Sequence, residues 1–241
     1  MIESVNNKKI KEYAKLQLKK ERDKQGLFIV EGEHMVIEAI KSNVLQELFL
    51  LSEMDNPFDF PCTYANQAVL NKLSSQTSNT KIIGICKKIQ KKPVKEERII
   101  MLDTVQDPGN VGTIIRSAYS FGYDCIYLSK GCADIYNPKT IQASQGALFH
   151  IPCLQTDLLE KMNQIDIETY ATALTDKHIN LQDIQPKHKY AIILGNEGEG
   201  IHQNIINAAN YTVKIEMDAF ESLNVAIAAS ICMYTFKYKS N

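Results

Sequence analysis

The stretch 98–122, RIIMLDTVQDPGNVGTIIRSAYSFG, decides the architecture. RIIMLDTV is a short apolar run of the kind that forms a strand buried on both faces. Asp107-Pro108-Gly109 then makes a tight turn, and Asn110 stands where it caps a new helix. On that helix Val111, Ile114, Ile115 and Ala118 form a buried stripe at helical spacing. Arg116 projects from the other side, an isolated cation on an otherwise neutral helix. It is either solvated surface or a fixed fork aimed at an anion.

The alternation of strand and helix continues from there. CIYLSK, ETYATAL, KYAIILG and YTVKI read as strands, and PKTIQASQG, TDLLEKM, a segment after GEGI, and ESLNVAIAASICMYTFKY as helices. This predicts an α/β domain with a mostly parallel sheet covered on both faces. In such sheets ligands sit beyond the carboxyl ends of the strands. Upstream, SVNNKKIKEYAKLQLKKERDKQG reads as a basic amphipathic helix with Ile10, Ala14 and Leu18 on one stripe. GLFIVEG, LQELFLL and TKIIGICKKI follow as strands, with helices over GEHMVIEAIKSN and NQAVLNKL, giving a second, small α/β domain. The charge-dense KKIQKKPVKEE (87–97) reads as a solvated linker. The expected division is therefore 1–90, a linker 91–97, and 98–241.

The 241 residues carry a net charge of only −1, but its distribution is uneven. Residues 1–95 hold 16 Lys and Arg against 11 Asp and Glu, whereas 96–241 hold 11 against 17. Opposite signs suggest different tasks, the basic unit being suited to a polyanion. No apolar run is long enough for a membrane span, and Met1–Lys20 lacks a signal-peptide core. The six cysteines are scattered without a Cys-x-x-Cys pair, which favours reduced thiols in a cytoplasmic protein. Neither His nor Cys shows metal-ligand spacing, so no metal site is expected.

Three segments that leave strands carry the chemistry. DPGNVGTIIRSAYSFG offers Arg116. ILGNEGEGI (193–201) interleaves three glycines with Glu197 and Glu199. It fits neither a phosphate loop nor the dinucleotide fingerprint, because carboxylates repel phosphate and the glycine spacing is wrong. A cationic or zwitterionic ligand suits it better. In KIEMDAFESLNVAIAASICMYTF (214–236), Ser222 is the expected helix cap. The helix beyond is apolar nearly all round and should be buried. Its small residues Ala226, Ala228, Ala229 and Ser230 admit another backbone, from its own sheet or a second subunit, and Asn224 is a polar group needing a partner.

In this order and spacing the three segments resemble the signature motifs of the SpoU (TrmH) family of RNA ribose methyltransferases, in the SPOUT superfamily. ADIYNPKTIQASQGALFHIP (133–152) is similar to the family as well, and residues 7–40 resemble its optional ribosomal-protein-like substrate-binding domain. The resemblance implies a C-terminal trefoil knot that binds S-adenosylmethionine, a homodimer with active sites near the subunit interface, and RNA as substrate. It assigns Gly195, Ile215 and Leu223 to the adenosine, with Asn196, Gly198 and Met217 beside them in the same loops. Asn110, Arg116, Glu197, Ser222 and Asn224 match the residues associated with activity. Glu216 stands where the family usually has proline. The acidic loop then faces a sulfonium, and eight Lys and Arg in the first 24 residues face RNA phosphates. The basic domain favours ribosomal over transfer RNA. Two rivals are a non-catalytic RNA-binding or ribosome-assembly protein, and base methylation through a cysteine at Pro61-Cys62 or Pro152-Cys153.

Overall fold

A computed structural model of the chain describes residues 1–75, 80–89, 91–175, 177–219 and 222–240. The N-terminal unit contains α1 (Lys8–Ala14), α2 (Lys19–Gln25), β1 (Leu27–Glu31), α3 (Glu33–Lys41), β2 (Leu45–Leu51), β3 (Cys62–Ala65), α4 (Gln67–Leu73) and β4 (Ile82–Lys87). Its four strands pair in the order β1-β4-β2-β3, with β4 antiparallel to both neighbours and β3 parallel to β2. The C-terminal unit contains β5 (Arg98–Leu102), α5 (Pro108–Phe121), β6 (Cys125–Leu128), α6 (Pro138–Ser144), β7 (Cys153–Gln155), α7 (Leu158–Gln164), β8 (Glu168–Thr172), β9 (Ile179–Asn180), β10 (Tyr190–Leu194), α8 (Gln203–Ala208), β11 (Tyr211–Lys214) and α9 (Val225–Lys239). Its seven strands run in the order β7-β6-β5-β10-β8-β11-β9, every neighbouring pair parallel.

The parallel sheet read from the sequence is thus present, and its strands are apolar on both faces for the expected reason. Along β5, Ile100 and Leu102 enter a core shared with Val111, Ile114 and Ala118 of α5 and Ala229 and Phe236 of α9. Ile99 and Met101 point the other way, to Leu158 and Met162 of α7 and Ile205 of α8. Each such aliphatic side chain contributes roughly 1.5–3 kcal/mol by leaving water. β10 lies between β5 and β8, at the centre of the sheet, and all five of its residues are buried. Its carboxyl end delivers the glycine-rich loop.

Four local expectations are corrected. The N-terminal basic stretch is not one helix: it breaks at a 3-10 turn over Lys15–Gln17. The turn rotates the stripe, so Leu16 is buried beside Ile10 while Leu18 is 63% exposed. The helix at 108 is capped by Asp107, whose Oδ1 accepts from the Asn110 amide at 2.8 Å. Pro108 fits the first turn because its missing N–H has no duty there; Asn110 therefore sits inside the helix rather than at its cap. The last helix is capped by Asn224, not Ser222, and Glu221 lies outside the described residues. That helix is not wholly buried either: Ala226 and Ala229 face the core, but Ile227, Ile231, Tyr234 and Tyr238 are exposed. Its small residues meet the chain's own α5, where Ser230 Oγ and Ser117 Oγ lie 2.9 Å apart.

Nor is 91–97 a free tether. Lys91 Nζ donates to Phe149 O at 2.6 Å, and Glu96 accepts from Lys161 Nζ at 2.8 Å. The amides of Glu97 and Arg98 both donate to Asp124 Oδ2 at 2.9 Å. The two units also share a core, with Phe28 packed on Tyr136 at 4.8 Å and on Phe149 at 6.1 Å between ring centroids. Beside it Arg22, 2% exposed, donates to Asp134 Oδ2 at 2.7 Å and to the carbonyls of Leu16 and Gln17. This arginine, counted by sequence among eight cations for RNA, is a structural pin. Lys9, Lys15 and Lys19 are paired with Glu47, Glu12 and Asp23. Among the described residues Lys8, Lys11, Lys20 and Lys24 form no ion pair.

Because breaking a buried pair leaves one charge uncompensated, Arg22→Ala should lower unfolding stability by about 3 kcal/mol or more. Lys19→Ala, which removes a surface pair, should cost below about 1 kcal/mol. Urea denaturation of the two variants against the wild type measures the difference.

Candidate active site

The first pocket is built at the carboxyl ends of β10, β8 and β11. After Leu194, Gly195 approaches the backbone of Gly200 so closely that a Cβ would lie 2.3 Å from the Gly200 carbonyl carbon. Only glycine fits there. Asn196 and Gly200 exchange backbone hydrogen bonds of 2.9 and 3.0 Å, closing the loop on itself. The Asn196 side chain fixes it from both ends. Its Oδ1 accepts from the amides of Gly198 (2.7 Å) and Glu199 (3.2 Å), and its Nδ2 donates to Thr104 O at 2.9 Å.

Behind the loop lies a cavity of about 480 Å³, within the usual range for small-ligand sites. Gly195, Asn196, Gly198, Ile215, Met217 and Leu223, all named from the sequence for the cofactor, line it. So do Glu197 and Ser222. Leu194, Ile201, Val213 and Val225 supply apolar walls, Glu197 and Glu199 an acidic rim. Glu216 is exposed on the neighbouring loop and is not part of the lining.

At the edge of this cavity the three segments are joined by side chains. Asn110 Nδ2 donates to Glu197 Oε1 at 2.6 Å, and Asn110 Oδ1 accepts from Asn224 Nδ2 at 3.0 Å. The two helix caps make this chain feasible. Asp107 satisfies the Asn110 amide N–H, so the Asn110 side chain is free to bridge. Asn224 uses Oδ1 for the amides of Ala226 (2.9 Å) and Ile227 (3.3 Å), which leaves Nδ2 for Asn110. Asn224 is exposed, and the partner the sequence called for is Asn110.

Arg116 is not brought into this cavity. It lies two turns along α5, exposed, and lines a separate cleft with His34, Glu38 and His150. Among the described residues its guanidinium has no hydrogen-bond or ion-pair partner. Three of the five activity-associated residues thus meet in one hydrogen-bonded chain; Ser222 lies on the cavity wall and Arg116 faces outward.

Sequence reading missed one pair. Asp103, at the end of β5 and 2% exposed, accepts from both the backbone N–H and Nδ1 of His202 through Oδ2, each at 2.8 Å. It thereby ties the exit of the glycine-rich loop to β5. A carboxylate at the C-terminal end of an otherwise apolar strand was the available signal. Of the two cysteines considered for base methylation, burial pushes the Cys153 thiol far up, which disfavours it as a nucleophile, and Cys62 lies on β3 of the N-terminal unit and does not line the cavity.

Known proteins are similar to this chain over nearly its whole length. Residues 97–234 match the SpoU rRNA methylase family, and residues 7–84 match an MRM3-like substrate-binding domain. The 23S rRNA (guanosine(2553)-2′-O)-methyltransferase RlmP of Bacillus subtilis is 34% identical over 97% of each chain. The crystal structure of an RNA 2′-O ribose methyltransferase superposes with a TM-score of 0.85 at 26% identity, covering 99% of this chain and 98% of that one. An AdoMet-bound rRNA methyltransferase from Sinorhizobium meliloti, 24% identical, shares the fold with a TM-score of 0.86 over 98% and 97% of the two chains.

The hydrogen bond that the His202 ring donates to Asp103 raises the pKa of His202 above its ordinary 6.5. A raised folded-state value contributes stability that is full below about pH 6.5 and is lost as pH rises through that raised value. NMR titration should place His202 above 6.5 in the wild type and return it towards 6.5 in Asp103→Asn, with the upward pH trend in loop opening abolished in the variant.

Proposed function

The chain belongs to the SpoU rRNA methylase family, and from that premise we propose that it methylates a ribose 2′-hydroxyl in ribosomal RNA with S-adenosylmethionine as donor. The observation that carries this is the Glu197–Asn110–Asn224 hydrogen-bond chain, which joins the three motif segments at the rim of one cavity. The cavity fits the donor. Its walls from Leu194, Ile215, Leu223 and Val225 suit an adenine ring, and the carboxylates of Glu197 and Glu199 suit a sulfonium. Bound there, S-adenosylmethionine supplies a methyl carbon for in-line displacement, the carbon–sulfur bond breaking as the ribose oxygen bonds to carbon.

The chain's own residues hold and orient. Gly195 and Asn196 shape the loop around the adenosine. The Asn110 amide fixes the Glu197 carboxylate at the rim. A guanidinium is not deprotonated in proteins, so Arg116 acts as an electrostatic clamp on phosphate and on the developing negative oxygen. The hydroxyl proton leaves to phosphate or water.

Arg116 performs this role, in our reading, for the cavity of a second subunit. The exposed stripe Leu223, Ile227, Ile231, Tyr234 and Tyr238 supports a homodimer, since contiguous apolar surface of this kind marks an interface. It begins with Leu223 at the cavity itself. We further assign residues 1–90 to RNA binding and 98–241 to the donor and the reaction, with the C-terminal loops knotted as the family resemblance implies. No disulfide joins any of the six cysteines, all of them among the described residues, which suits a cytoplasmic enzyme.

The test is methyl transfer from labelled S-adenosylmethionine to ribosomal RNA taken from cells lacking the gene. Wild-type protein should label a ribose 2′-oxygen, and Arg116→Ala and Gly195→Ala alone should not. Mixing the two inactive variants as exchanging dimers should restore roughly a quarter of the wild-type rate, because each mixed dimer of a twofold pair keeps one intact site. Absence of ribose label from wild type contradicts the reaction, and absence of recovery contradicts the shared site.

A further inference from the structure

The outward face of α5 opens on a second cleft, of about 650 Å³, between α3 of the N-terminal unit and the turn that follows α6. His34, Glu38, Arg116, Tyr119, Gln145 and His150 contribute to its walls. Tyr119 and His150 lie nearly parallel, with ring centroids 5.1 Å apart and 16° between planes. Tyr119 is 47% exposed, a large aromatic side chain held flat yet open to solvent.

The cleft is built rather than incidental. Gln145 and Gly146 both have left-handed backbones, with φ of 48° and 88°. A Cβ on Gly146 would lie 2.8 Å from Glu38 Cγ, so the turn sits directly against α3. His34 Nε2 lies 3.3 Å from Gln145 O. The single carboxylate in the walls is engaged: Glu38 Oε1 accepts from Lys41 Nζ at 2.9 Å, and Oε2 lies 3.1 Å from His150 Nε2. Arg116 is left as the unpaired charge.

A planar aromatic platform beside a free guanidinium matches the two faces of a nucleotide. Bases stack on aromatic side chains and on guanidinium planes, and phosphate meets arginine. We propose that this cleft seats an unpaired nucleotide of the RNA next to the ribose that Arg116 attends, its base stacked on Tyr119 and its phosphate held by Arg116. The inference rests on the proposed methylation of RNA and adds a second, donor-independent contact. Because the walls come from both units, it also makes the N-terminal unit part of nucleotide placement rather than a remote handle.

Full-length Tyr119→Ala and Tyr119→Phe answer the question. The probes are ribosomal RNA from cells lacking the gene, in filter binding at fixed salt, and S-adenosylmethionine in calorimetry. Tyr119→Ala should weaken RNA binding by about tenfold or more, the scale of one base stack. It should leave donor affinity and thermal midpoint at wild-type values, and Tyr119→Phe should restore RNA binding. RNA affinity within twofold of wild type in Tyr119→Ala overturns the proposal, as does equal loss in Tyr119→Phe. Binding needs no turnover, so a wild-type protein that binds RNA without methylating it contradicts the proposed reaction while this comparison still decides the cleft.

Discussion

One side-chain amide holds the three chemical segments together. Asn110 donates to a carboxylate from the loop after β10 and accepts from the amide of the residue capping α9. An amide is suited to this position because it donates and accepts at once. A carboxylate would repel Glu197, and an apolar residue would leave both neighbours unpartnered. The segments are 87 and 114 residues away in sequence, so the bridge exists only once the sheet has brought β5, β10 and the end of β11 into register.

The caps explain how that bridge is released for use. Helix N-termini present unsatisfied N–H groups, and a polar side chain must meet them. Asp107 takes this task on α5 and Asn224 takes it on α9. Were Asn110 the cap, its oxygen would be consumed locally and the link to Asn224 would be lost. The same α5 then presents a second face. Asn110 meets the cavity rim, Ser117 meets α9, and Arg116 and Tyr119 look away towards the N-terminal unit. In our proposal a second subunit turns this outward arginine into part of an active site, which makes dimerisation a requirement of the reaction.

Much of this was legible in the sequence. Both-face burial of β5 and β10 follows from their unbroken apolar runs, and the residues named for the cavity line it because loops after parallel strands converge. What stayed hidden depended on competition between neighbours. The cap positions were each misassigned by two or three residues, since Asp107 and Asn110, or Ser222 and Asn224, are equally good caps in isolation. The 3-10 break at Lys15–Gln17 was concealed by a helix-compatible charge pattern. β3, β7 and β9 are four residues or fewer and were missed because their pairing is tertiary. Arg22 could not be told from the surface lysines around it, as its partner Asp134 is 112 residues away.

The most direct measurement of the central claim is a double-mutant cycle on donor affinity, with Asn110→Ala, Glu197→Ala and the double variant titrated with S-adenosylmethionine by calorimetry. If the Asn110–Glu197 bond organises the rim, each single change weakens binding and the double is little worse than either, with a coupling of about 1 kcal/mol. Strictly additive losses, or single variants that bind the donor as the wild type does, would contradict the account.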